Sequence, residues 1–118
     1  MTEMSDIGPI RVEMHPAEVR FRFANPRTMT LEVPISLEEE LARHLEAHEA
    51  AIAGKRLVID LEDLPAVSSR QLGIMLTIRK TCQPYGTTDL ASVSDGVRYL
   101  LNLTRMAQYF SPTEATPD

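Results

Sequence analysis

The sequence predicts a single α/β domain, a mixed sheet of about four or five strands covered by about three main helices. Three observations carry that prediction. The first part of the chain holds short runs that alternate apolar with charged residues, and the later part interleaves strand-like runs with helical periodicities. Leu57-Val58-Ile59-Asp60-Leu61 is an apolar, β-branched run with one charge, the pattern of a central strand covered on both faces. With 118 residues, 43% hydrophobic and 25% charged, the chain is long and apolar enough to bury a core without disulfide or metal.

Taken in order, residues 1–8 are polar and expected to be loose. Ile10 to Met14 and Val19 to Phe23 each alternate, so each reads as a strand with one wet face, and His15-Pro16-Ala17-Glu18 joins them as a hairpin. Asn25-Pro26-Arg27 punctuates the chain, and Met29 to Val33 is a third short strand that Pro34 ends. Ser36-Leu37-Glu38-Glu39 has the form of a capping box, and its acids suit the helix dipole. Leu37, Leu41, Leu45, His48 and Ile52 then share one face of a helix expected to reach about Ala53 and stop at Gly54.

After the central strand, Asp63-Leu64-Pro65 is a break, because proline offers no N–H and biases its predecessor away from helix. Leu72, Ile74, Met75, Leu76 and Ile78 define a second helix, closed near Cys82 by Pro84 and Gly86. Ser68 or Ser69 is its natural N-cap, and that junction places the serines where a helix N-terminus favours a phosphoryl group. Thr88 to Ala91 is a short strand, and Ser94-Asp95 caps a last helix through Val97, Leu100, Leu101 and Thr104 to about Tyr109. The folded domain therefore spans residues 9–110, with residues 111–118 as a frayed tail, and right-handed crossovers make the later strands parallel.

Composition excludes several classes. A net charge of −5 with scattered basic residues argues against nucleic acid and anionic membranes. No apolar run nears the ~20 residues of a bilayer span and no signal peptide opens the chain, so a cytoplasmic protein without direct membrane insertion is expected. Cys82 is the single cysteine and has no pairing or metal partner. His44 and His48 have the i,i+4 spacing of zinc ligands, but Leu-Glu-Ala lies between them and no further ligand follows. Glu38, Glu39 and Glu40 read as a solvated helix start. No G-x-S-x-G surrounds the serines, and the 5 glycines form no phosphate loop. Neither an enzyme nor a cofactor or metal protein is expected; a protein partner is.

LVIDLEDLPAVSSRQLGIML resembles the core of STAS domains, the family of bacterial anti-sigma-factor antagonists and of the cytoplasmic tails of sulfate transporters. The family pattern is an apolar strand ending in Asp-Leu, then D-S-S/T-G-L-G opening a helix. Leu72-Gly73 matches the final Leu-Gly, which lays Ser69 on the phosphoacceptor serine, Ser68 on the aspartate, Arg70 on the next hydroxyl residue and Gln71 on the glycine. A one-residue slip makes Ser68 the acceptor. Ser92-Val93-Ser94 followed by VRYLLNLTRMAQYF is similar to the family's last strand and helix, so the likeness runs from about Ser36 to Phe110. The resemblance implies a STAS-like domain that docks on a kinase-fold anti-sigma factor and is released by phosphorylation. It also implies an alternative, a constitutive accessory subunit on the ATPase of a lipid-transport ABC complex. The expected docking surface is Pro65, Ser68, Ser69, Arg70 and Gln71, with Arg79 and Lys80 further along the helix; a homodimer is compatible with it.

Overall fold

Leu57, Val58, Ile59, Asp60 and Leu61 are all buried, as the apolar run predicts, and they lie in or beside the fourth strand of a six-stranded sheet. The structure is a computed structural model and describes residues 3–23, 36–62, 64 and 67–112. The strands are β1 (Glu3–Ile7), β2 (Ile10–Met14), β3 (Glu18–Phe23), β4 (Arg56–Asp60), β5 (Thr88–Ala91) and β6 (Ser111–Pro112). They stand side by side in chain order. The first three pair antiparallel and the last four parallel, so the sheet is mixed.

The expected hairpin forms, with His15 N–H donating to Glu18 O at 2.9 Å across its turn. The expectation that residues 1–8 are loose is corrected: Glu3–Ile7 pairs with β2 along its whole length, from Glu3 opposite Met14 to Ile7 opposite Ile10. Gly8, at φ 57, makes the tight reversal that this register needs. A polar edge strand exposes most of its side chains, so apolar alternation is absent and periodicity misses it. The tail is corrected in the same way at Ser111–Pro112, which lies parallel to β5, a place where an edge strand tolerates proline. The third strand expected at Met29 to Val33 lies outside the described residues, as do Pro65 and residues 113–118.

The helices are α1 (Leu37–Ala47), α2 (Glu49–Ile52), α3 (Ser69–Cys82) and α4 (Asp95–Leu103). Leu37, Leu41, Leu45 and Ile52 are buried as the stripe predicts, but the helix does not run through to Ala53. It breaks at His48, at φ −113 and ψ 22, whose Nδ1 lies 2.9 Å from the His44 carbonyl oxygen that the helix ladder also uses. Gly54, at φ 79, closes α2. The last helix likewise stops early: Thr104 is its C-cap and residues 107–109 form a separate 3₁₀ turn.

One face of the sheet carries the core. Val12, Val19, Phe21, Leu57, Ile59 and Leu90 meet Leu41 and Leu45 of α1, Ile74, Met75 and Ile78 of α3, and Val97 and Leu101 of α4. On the opposite face, where the alternation of β2 and β3 predicts water, the charges bond to one another. Asp60, 4% exposed, receives Arg20 Nη1 and Arg22 Nη2, the latter at 3.0 Å. Arg20 also pairs with Glu18, and Arg22 with Glu13 at 3.0 Å. The central strand is therefore buried on its second side beside an ion-paired layer rather than beneath a helix.

Candidate functional site

The junction between β4 and α3 builds the site from its own sequence. Leu64 N–H donates to Leu61 O at 3.0 Å, a turn that ends the strand, and Ser68 then adopts extended backbone at φ −79 and ψ 166. From there its Oγ accepts the Gln71 N–H at 3.1 Å, while Gln71 Oε1 accepts the Ser68 N–H at 2.8 Å. This reciprocal capping box satisfies two of the donors that a helix start leaves unpaired. Ser68, not Ser69, is therefore the N-cap.

The predicted residues separate into distinct groups. Ser69 is the first helical residue, its side chain is exposed, and its hydroxyl has no hydrogen bond among the described residues. Arg70 is exposed beside it. Gln71 is buried to 7% exposure, with its side chain engaged in the capping box. Arg79 and Lys80 lie ten and eleven positions further on, about 15 Å along a helix, so they do not adjoin Ser69. Both are engaged there. Arg79 Nε donates to Tyr109 O at 2.8 Å with its guanidinium 5.0 Å from the Tyr109 ring centroid, and Lys80 pairs with Glu38 at 3.3 Å. A cleft of about 370 Å³ lies beside that far end, lined by Arg79, Gln83, Thr88 and Tyr109 among others.

A second helix start stands beside the first. Ser94 at φ −75 and ψ 163 caps α4 by accepting the Val97 N–H at 3.2 Å, and its hydroxyl donates to Leu64 O at 3.4 Å. The loop that leads to α3 is thus tied to the cap of α4. Ser92, exposed and left-handed at φ 57, turns the chain between β5 and that cap. Periodicity cannot locate this tie, since it joins segments 30 residues apart.

The other sequence candidates do not add chemistry here. The His44 and His48 rings stack at 4.4 Å, and burial, reinforced by His48, holds His44 below the usual imidazole range. No group of three or more metal-ligating side chains occurs among the described residues. Burial pushes the Cys82 thiol up to about 12, so it carries no reactive thiolate at neutral pH. No helix among the described residues is long and apolar enough to cross a membrane.

What the junction can do is present an exposed hydroxyl at a helix N-terminus, next to a guanidinium-bearing side chain, on a scaffold fixed by the box. Comparison of the chain with protein-family models gives no match, and comparison with curated proteins gives none either.

Proposed function

We propose that the chain is a STAS-type regulatory module that works in the cytoplasm by binding protein, as an anti-sigma-factor antagonist toward a kinase-fold anti-sigma factor. The start of α3 is the docking surface and Ser69 the residue whose phosphorylation releases the partner. The observation that carries this reading is the division of labour between the two serines. Ser68 is committed to the box, and Ser69 stands exposed at the first helical position, its hydroxyl without a hydrogen bond among the described residues. A phosphoryl group there brings about −1.5 to −2 charges and its hydration into a protein contact.

The test uses the kinase-fold protein encoded nearest the chain. Ser69→Asp lowers its affinity at least tenfold, about 1.4 kcal/mol, while Ser69→Ala binds as the parent does and loses only the response to phosphorylation. Because Ser69 is not the cap, the alanine variant also keeps its stability within about 0.5 kcal/mol. Equal affinity of parent and aspartate variant would sink the switch.

One observation favours a second reading, a constitutive accessory subunit on a transporter ATPase. Gln71 closes the helix start with a side chain where the resembled motif has glycine, and Ser68 stands where it has a carboxylate. Intact-mass analysis of the chain from its own cells that finds no phosphate under any growth condition selects this reading.

A further inference from the structure

Three pieces of chain wall the cleft at the far end of α3. The last turn and cap of that helix supply Arg79 and Gln83, the entry to β5 supplies Thr87 and Thr88, and the 3₁₀ turn supplies Gln108 and Tyr109. Its volume of about 370 Å³ falls at the lower end of the range of small-molecule sites, about 300–1,000 Å³. None of the described residues that line it is acidic.

Arg79 is anchored in this wall and still has donors to give. Nε donates to Tyr109 O at 2.8 Å and the guanidinium lies 5.0 Å from the Tyr109 ring centroid, two contacts that fix the group in place. Nη1 and Nη2 have no hydrogen bond or ion pair among the described residues. Lys80, one position on, pairs with Glu38, and Arg11, Arg20, Arg22, Arg43 and Arg56 each have a carboxylate partner, so Arg79 departs from the pattern of its neighbours. The side chains of Gln83, Thr87 and Gln108 likewise make no hydrogen bond among the described residues. Thr88 is the most demanding of the set. It is 3% exposed, and its Oγ1 is buried without a hydrogen-bond partner, a state that costs stability until some group completes it.

We infer that this cleft binds a small hydroxylated monocarboxylate. With Nε engaged by the backbone, the edge between Nη1 and Nη2 offers the two N–H groups that a carboxylate accepts as a fork. The amides of Gln83 and Gln108 and the threonine hydroxyls both donate and accept, which suits hydroxyls on the rest of the molecule rather than an alkyl chain. A single negative charge fits best. Arg79 is the one cation among the described lining residues, and the cleft lies against the C-terminal end of α3, whose dipole opposes a phosphate dianion more than a monoanion. The cleft is separate from Ser69, and the inference stands whether or not that residue is phosphorylated.

The test titrates the full ¹⁵N-labelled chain with gluconate, with sorbitol, which has the hydroxyls and no carboxylate, and with inorganic phosphate. Gluconate at millimolar concentration shifts the amides of Thr87, Thr88, Gln108 and Tyr109, and sorbitol leaves them in place. Arg79→Gln weakens gluconate at least tenfold. Thr88→Val separates site from fold, because it removes the unpartnered hydroxyl at nearly constant shape: the thermal midpoint holds or rises while gluconate binds more weakly. Absence of shifts with gluconate, equal shifts with sorbitol, or unaltered gluconate binding in either variant would overturn the inference. So would shifts confined to another surface, or phosphate binding tighter than gluconate at these amides, which assigns the cleft to a phosphate group.

Discussion

Two helices of this protein begin with the same signature, a serine followed three residues later by glutamate or glutamine, and only one of them closes as a box. At α3 the exchange between Ser68 and Gln71 is complete, at 3.1 and 2.8 Å. At α1 Ser36 makes no capping bond to the helix amides; its hydroxyl donates instead to Glu40 Oε2 at 2.6 Å, so the box expected from Ser36 and Glu39 is corrected. The difference lies in the backbone. Ser68 enters its helix extended, at ψ 166, whereas Ser36 sits at ψ 10, outside the conformation that turns a cap oxygen toward the first-turn amides. The signature supplies the atoms, and the direction from which the chain arrives decides whether they meet.

The largest effect that can break this comparison is at the third helical position. Gln71→Gly, which restores the glycine of the resembled motif, removes the acceptor of the Ser68 N–H and adds a flexible residue, for a loss of about 2 kcal/mol. Glu39→Gly removes no such bond and loses about 1 kcal/mol from helix propensity, plus a few tenths from its exposed i,i+4 pair with Arg43. Urea midpoints at unchanged slope measure both. Equal losses would mean that the two starts are equivalent in solution.

A smaller effect is at the serines themselves. Ser68→Ala is expected to cost about 1 kcal/mol, and Ser36→Ala to stay within about 0.5 kcal/mol of the parent. Thermal midpoints read at constant pH decide it, and a cost at Ser36 to match that at Ser68 would show that the α1 box does form.

The smallest effect is one of pH. The Ser68–Gln71 box has no titrating group, so the penalty of Ser68→Ala stays flat between about pH 4 and 8. The ion-paired sheet face behaves otherwise. Burial pulls the Glu13 carboxyl up, but the His15 hydrogen bond and Arg22 outweigh it and hold it below the usual carboxylate range. A depressed carboxyl contributes its stability above the unfolded value, near 4.3, and loses it as pH falls through the lower folded value. The stability difference between the parent and Glu13→Gln therefore shrinks on acidification, whereas that of Ser68→Ala does not; parallel profiles for the two variants would contradict the assignment.

Much of the fold was legible because burial leaves a period. The β2–β3 hairpin, the buried run at β4, the extent of α3 to Cys82 and β5 at Thr88–Ala91 all follow from where apolar side chains recur. The edge strands were not legible, because Glu3–Ile7 and Ser111–Pro112 are fixed by backbone pairing with a neighbour. The early stop of α4 was hidden for another reason. An arginine occupies the left-handed position where a glycine would have announced it. Of the candidate site, the sequence placed two serines at a helix start and left open which was the cap.

By itself, then, the sequence determined the class of the fold, the order of its main elements and the acidic character of the chain, since these rest on composition and local periodicity. Only the tertiary structure decided that Ser68 caps and Ser69 is exposed, that Arg79 is tied to Tyr109 about 15 Å from them, and that the wet face of the hairpin closes on Asp60. Each of these depends on the angle at which the chain enters an element, or on residues brought together from distant positions. Neither leaves a repeat in the sequence, because hydrogen bonds and ion pairs are set by distance in space and not by spacing along the chain.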